Sequence, residues 1–147
     1  MKLAILTPNI SALPQPAAED IGELADRGYR SIIGNRPDGE APDQPKWNDL
    51  KAAALARGMD AVHIPVVASQ IGEADICAFR EAMERLPKPI AAFCRTGTRS
   101  TILWALVNET CLTSDERIKI AAREGYDLEP FSGVLEGAIG APASKTA

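Results

Sequence analysis

Between Ile90 and Val107 the chain reads Ile-Ala-Ala-Phe-Cys-Arg-Thr-Gly-Thr-Arg-Ser-Thr-Ile-Leu-Trp-Ala-Leu-Val, and no other segment restricts the fold as much. Ile90 to Phe93 is a short apolar run without alternation, the signature of a strand buried on both faces. Residues 99–110 follow a polar turn and are apolar nearly all round at Ile102, Leu103, Trp104, Ala105, Leu106 and Val107. A helix of that kind lies centrally in a core.

The remaining segments alternate in the same way. Leu3 to Leu6 and Ile10 to Leu13 read as strands, arranged as an antiparallel pair. Residues 17–27 place Ala18, Ile21, Leu24 and Ala25 on one helical stripe, with Gly28 as its stop. A strand is predicted over Tyr29 to Ile33, then a polar loop through Pro45, then a helix over 46–57 with Trp47, Leu50 and Ala54 inward. Ala61 to Ile64 is a strand closed by Pro65, and 72–86 is a helix carrying Ile76, Phe79, Met83 and Leu86 on one face. Thr113-x-x-Glu116 is a capping box that opens a further helix, ended by Gly125. A last helix is expected over 130–138 and a flexible tail over 141–147, leaving one domain over 1–140. Alternating strands and helices define an α/β fold with a mostly parallel central sheet flanked by helices. Ligands bind such sheets beyond the carboxyl ends of the strands, where the loops 34–45, 65–71 and 94–99 should meet.

Composition narrows the function. With 16 Lys and Arg against 20 Asp and Glu, the formal charge is −4, which disfavours a nucleic-acid partner. No apolar run reaches the ~20 residues that cross a bilayer. The apolar stretch at the start stops at Leu6, too short for a signal peptide, so a cytoplasmic location is expected. One histidine, His63, excludes metal sites and triads built on several, and the three cysteines contain no C-x-x-C. No metal or cofactor is expected. Cys77 and Cys111 read as small buried hydrophobes, and Cys111 lies roughly 18 Å along the helix from Arg99, too far to serve as a resolving thiol.

Cys94 differs from them. It ends a buried strand, a loop with a central glycine follows, and a helix begins at once. Backbone N–H groups of Arg95, Thr96, Gly97 and Thr98 can converge on one cradle, and the helix N-terminus adds partial positive charge. Gly97 permits a conformation that a Cβ would obstruct. Arg99 contributes a permanent fork of donors and Arg95 further positive field. The setting favours Cys94 as a thiolate nucleophile facing an anion-sized pocket, with hydroxyls from Thr96 and Ser100 available to the anion. Ser100 has the competing use of capping the helix. Arg36 and Asp38 either line the pocket or only shape their loop, and Ser69 and Gln70 are weaker candidates. His63 reads as a hydrogen-bonded structural residue.

Cys94 to Ser100 resembles the active loop of rhodanese-type sulfurtransferases, with four residues between cysteine and arginine. Ile33 to Glu40, His63 to Val66 and Cys94 through Leu106 resemble the phosphatase-like domain of beta-lactamase hydrolase-like proteins. That similarity runs over about residues 3–137. The second resemblance implies a fold like the dual-specificity phosphatases, and members of that family are also described as sulfurtransferases. Such phosphatases place five residues between cysteine and arginine, usually have histidine before the cysteine, and supply an aspartic acid after the strand ending Ile-Pro. Here Phe93 precedes Cys94, and Val66 to Gln70 contain no carboxylate. Asp38 could substitute, and Asp75 falls inside the next helix. Loss of a general acid costs about 10²–10⁴-fold in rate. The expected activity is therefore sulfur transfer from thiosulfate or a small persulfide to a thiol acceptor, through a Cys94 persulfide. The alternative is a cysteine-dependent phosphatase with a phosphocysteine intermediate and a phosphoester substrate. A third possibility is an anion binder or redox sensor without turnover.

Overall fold

The computed structural model describes residues 1–135. Five strands form one sheet: β1 (Ala4–Thr7), β2 (Ile10–Leu13), β3 (Ser31–Gly34), β4 (Asp60–His63) and β5 (Ile90–Phe93). Their order is β1-β2-β5-β3-β4. β1 and β2 form an antiparallel hairpin at one edge, while β5 runs parallel to β2 and β3, and β3 parallel to β4. β5, the unalternated apolar run, occupies the centre with all four residues buried. The single-domain α/β fold with a mostly parallel sheet is as expected.

Strand alternation divides the interior into two layers. Ile33, Ile90 and Ala92 face α3 (Glu73–Arg85), α4 (Thr98–Val107) and α5 (Ser114–Arg123). Ile32, Ala91 and Phe93 face α1 (Ala18–Asp26) and α2 (Trp47–Ala56). The chain therefore leaves β3 toward one layer and β5 toward the other. Between two adjacent parallel strands, that divergence opens a crevice at their carboxyl ends.

Three expectations are corrected. The central helix ends at Val107 rather than at 110 because Asn108 adopts a left-handed φ of 49°. Its amide closes the turn, donating to Leu112 O at 3.0 Å and accepting from Leu112 N at 2.8 Å. Cys77 and Cys111 are exposed, not buried. The inner face of α3 belongs to Phe79, Ala82 and Met83, and Cys111 lies on the turn beyond α4. The last helix begins as a 3-10 turn over Glu129–Phe131 and continues helically over 132–135. Its expected remainder and the tail over 141–147 lie outside the described residues.

Candidate active site

The loop after β5 folds back on its own cysteine. Cys94 is buried, with 1% of its surface exposed, and its Sγ accepts a hydrogen bond from Gly97 N at 3.0 Å. Gly97 has φ +96°, and a Cβ there would come within 2.1 Å of Tyr126 Oη. The glycine is thus required twice, for its backbone angle and for the close approach of an aromatic ring. Tyr126, from the segment after α5, donates to Thr96 O at 2.9 Å and braces the loop from beneath. Burial and the neighbouring Cys94 push its phenol above the ordinary tyrosine range. Thr101 N and Oγ1 both donate to Gly97 O, fastening the loop to the first turn of α4. Gln15 N holds Arg95 O from the end of β2.

Asn35, fully buried just beyond β3, joins the three converging loops. Its N–H donates to Phe93 O, its O accepts from Val66 N, and its Nδ2 donates to Ile64 O at 2.9 Å. Its Oδ1 accepts from Ser100 Oγ at 2.8 Å. One amide thereby ties β3, the segment after β4 and the start of α4 together, satisfying buried polar groups that would otherwise be costly.

Charge is concentrated above this hub. Arg99 forms a two-pronged pair with Glu40, Nη1 to Oε2 at 2.7 Å and Nη2 to Oε1 at 2.9 Å, and Nη1 also donates to Val66 O at 3.0 Å. Arg36 Nε reaches Glu40 Oε1 at 2.9 Å, and its Nη1 donates to Gln15 Oε1. Held chiefly by its hydrogen bonds to Arg99, Glu40 is lowered from 4.5 to about 2. Reciprocally, the Glu40 bond and the neighbouring Cys94 raise Arg99. A cleft of about 550 Å³ opens over this cluster, with Arg36, Arg95 and Arg99 in its walls and apolar Pro42 and Val67 at its sides.

Of the residues singled out in the sequence, Arg36, Ser69, Arg95 and Arg99 line the cleft, while Cys94, Thr96, Gly97 and Thr98 belong to the loop that joins Arg95 and Arg99, with Cys94 Sγ held by Gly97 N. The Thr96 and Thr98 hydroxyls bond each other at 2.9 Å. Ser100 turns inward to Asn35 instead of toward the cleft. Asp38 also points elsewhere: its Oδ1 accepts from Trp47 N at 2.9 Å, where a carboxylate suits the start of α2. Gln70 ends the 3-10 turn Ala68–Gln70 and is exposed, outside the cleft lining. His63 stacks on Trp47 at 4.9 Å and its Nε2 donates to Arg36 O, a structural use. Glu40, Asn35 and Tyr126 were not singled out. Glu40 alone had a local signal, since it stands four residues after Arg36 in the polar loop.

A buried cysteine in a glycine-turned loop, followed by an arginine at a helix start on this sheet order, gives the fold of the cysteine phosphatases, a likeness of fold alone to protein tyrosine phosphatases. The chain belongs to the family described as beta-lactamase hydrolase-like protein, phosphatase-like domain, whose model matches residues 2–111. It is 36% identical over 130 residues to the beta-lactamase hydrolase-like protein of Xylella fastidiosa (strain Temecula1 / ATCC 700964), a match covering 87% of this chain. The match covers only 30% of that relative's length. Among solved structures, a candidate phosphatase from Neisseria meningitidis is 34% identical with a TM-score of 0.82, over 93% of this chain and 99% of that one. A candidate phosphatase from Shewanella putrefaciens matches at 20% identity and a TM-score of 0.73, over 95% of this chain and 91% of that one, a likeness of fold.

These findings overturn the expectation of sulfur transfer. It rested on a four-residue spacing within one loop, whereas the family and its 34% identical structural relative are of the phosphatase kind. A cradle of N–H groups and one arginine suits either thiosulfate or phosphate, so the loop alone does not discriminate between them. Among the described residues no helix is long and apolar enough to cross a membrane.

Proposed function

We propose that this domain is a cysteine-dependent phosphatase. The thiolate of Cys94 attacks phosphorus, the S–P bond forms as the P–O bond to the leaving group breaks, and water then hydrolyses the phosphocysteine. The phosphoryl oxygens are received by the N–H groups of residues 95–99 and by Arg99, whose far side is anchored by Glu40. Preset donors of this kind stabilise the charge that builds on the transferring group without reorganising at the moment of reaction. The observation that carries the reading is Cys94 Sγ already gathered by Gly97 N at 3.0 Å, on a chain of the phosphatase-like family. Glu40 is a positioning residue in this scheme.

The partner is a phosphorylated substrate, and no nucleic acid is required. The test is hydrolysis of nitrophenyl phosphate by the wild type beside Cys94→Ser, with rapid-quench intact mass spectrometry. A transient gain of one phosphoryl group, absent in the variant together with turnover, is expected. Equal hydrolysis by the variant would overturn the reading.

A further inference from the structure

A phosphoryl transfer to sulfur leaves an oxygen that needs a proton if it departs from an ordinary alcohol. General acids supply it, and they must stand within hydrogen-bond reach of the leaving atom. Glu40 is the one carboxylate among the described lining residues of the cleft, and it is clasped by Arg99 through both oxygens and by Arg36 through one. Two guanidinium groups keep it ionised, which suits anchoring and not proton donation. Its pKa, lowered to about 2, agrees.

Among the described residues, the other proton carriers around the cleft do not line it, and Asp43, next to Pro42, is exposed outside the lining. Asp38 receives the N–H of Trp47 at the start of α2, and Asp75 receives Gly72 N at 3.0 Å at the start of α3. Tyr126 is 7% exposed and gives its proton to Thr96 O beneath the loop. His63 gives its Nε2 proton to Arg36 O and is stacked on Trp47. Val66 to Gln70, facing the cradle across the cleft, contribute Ser69 but no acid.

From this arrangement, and resting on the phosphatase reading, the geometry points to a substrate class: phosphoryl compounds whose leaving group departs as a stable anion, namely aryl phosphates, acyl phosphates and phosphoanhydrides, in preference to alkyl phosphomonoesters. The thiolate and the phosphoryl dianion give phosphocysteine and the leaving group as its free anion, which carries away the bonding electron pair. No proton moves in that step. Water then displaces the thiolate, yielding Cys94 sulfur and dihydrogen phosphate, the second proton of the water remaining on the phosphate. A phenolate, whose conjugate acid titrates near pH 10, leaves in this way far more readily than an alkoxide, and a carboxylate more readily still.

The experiment is a leaving-group series. Substituted phenyl phosphates, acetyl phosphate and glycerol phosphate are compared by kcat/KM, which reports steps up to the first irreversible one. The same series is run with Glu40→Gln, and with Cys94→Ser as the control for the chemistry. In the wild type, log kcat/KM is expected to fall steadily with leaving-group basicity across the phenyl series. Glycerol phosphate is expected at least about 100-fold below nitrophenyl phosphate. Glu40→Gln should lower the whole series while leaving its slope unchanged. A flat wild-type series overturns the inference, because a proton donor must then be at work. A slope that steepens in Glu40→Gln also overturns it and makes Glu40 that donor. If no compound shows Cys94-dependent turnover, the phosphatase reading fails and the inference with it.

Discussion

The two ends of α4 each hold an arginine, and they use it in opposite ways. At the N-terminus Arg99 keeps 12% of its side-chain surface exposed, beside Cys94 and the cleft, with Glu40 gripping its far side. At the C-terminus Arg117, reaching across from α5, is fully buried. Its Nη1 donates to Ala105 O, its Nε to Thr113 O at 3.2 Å and its Nη2 to Leu135 O at 2.9 Å. Ala105 O is one of the carbonyls that the last turn of a helix leaves unpaired, where partial negative charge accumulates and a cation is favoured. Burial nonetheless pushes Arg117 below the ordinary arginine range. The negative end of α4 is therefore answered inside the protein, while its positive end is left facing a cleft. The difference separates an arginine that holds the fold from one held ready for a ligand.

Of the two arginines, Arg99 should matter far more to catalysis. Arg99→Met is expected to lower kcat/KM for nitrophenyl phosphate by about 10²–10³-fold, the usual consequence of losing one preset donor to the transition state. Its urea midpoint should shift only slightly, because Glu40 retains Arg36. A variant that unfolds instead would place Arg99 with Arg117 among the structural arginines.

Arg117→Met should do the reverse. Methionine matches much of the volume but donates nothing to three carbonyls, and an unpaired buried acceptor costs about 1–3 kcal/mol. Relief of the buried charge offsets part of that. A net loss of about 3 kcal/mol is expected from urea denaturation, with kcat/KM per folded molecule within twofold of wild type. A large loss of kcat/KM in the folded variant would mean that the two ends of α4 are coupled.

Glu40 gives the smallest and most diagnostic effect. Its folded-state value, about 2, is depressed below the unfolded 4.5, so its contribution to stability is fully present above about pH 5. That contribution is lost as pH falls from 4.5 through 2. The carboxylate is 29% exposed, and screening by solvent reduces its worth to about 1–2 kcal/mol. The stability difference between wild type and Glu40→Gln should be constant from neutral pH to about 5 and vanish toward pH 2. A difference that persists at pH 2 would show that the glutamine disturbs packing rather than charge.

Much of the architecture was legible in the residues themselves. An unalternated apolar run marked β5 as a strand buried on both faces, and Thr113 with Glu116 marked the start of α5, whose capping box is formed. The boundary missed at the end of α4 is of another kind. Asn108 ends the helix by tolerating a left-handed angle and bonding Leu112 on both sides of its amide, a choice made by the turn and not by apolar periodicity. Similarly, Asp38 and Ser100 carried the right chemistry at the right end of the sheet. Competition for nearby backbone and amide partners turned them away from the cleft.

The sequence by itself determined the alternation of layers, the cysteine cradle with its glycine, and the arginine at the head of α4, because these depend on residues within a turn or a strand of one another. Only the tertiary structure decided which carboxylate meets Arg99, since Glu40 lies 59 residues away and arrives through the pairing of β3 with β5. The same holds for the Asn35 amide that joins three loops and for Tyr126 beneath Gly97. Hydrogen bonds and ion pairs reach only a few ångströms, so side chains distant in the chain become partners only once strand order has been set.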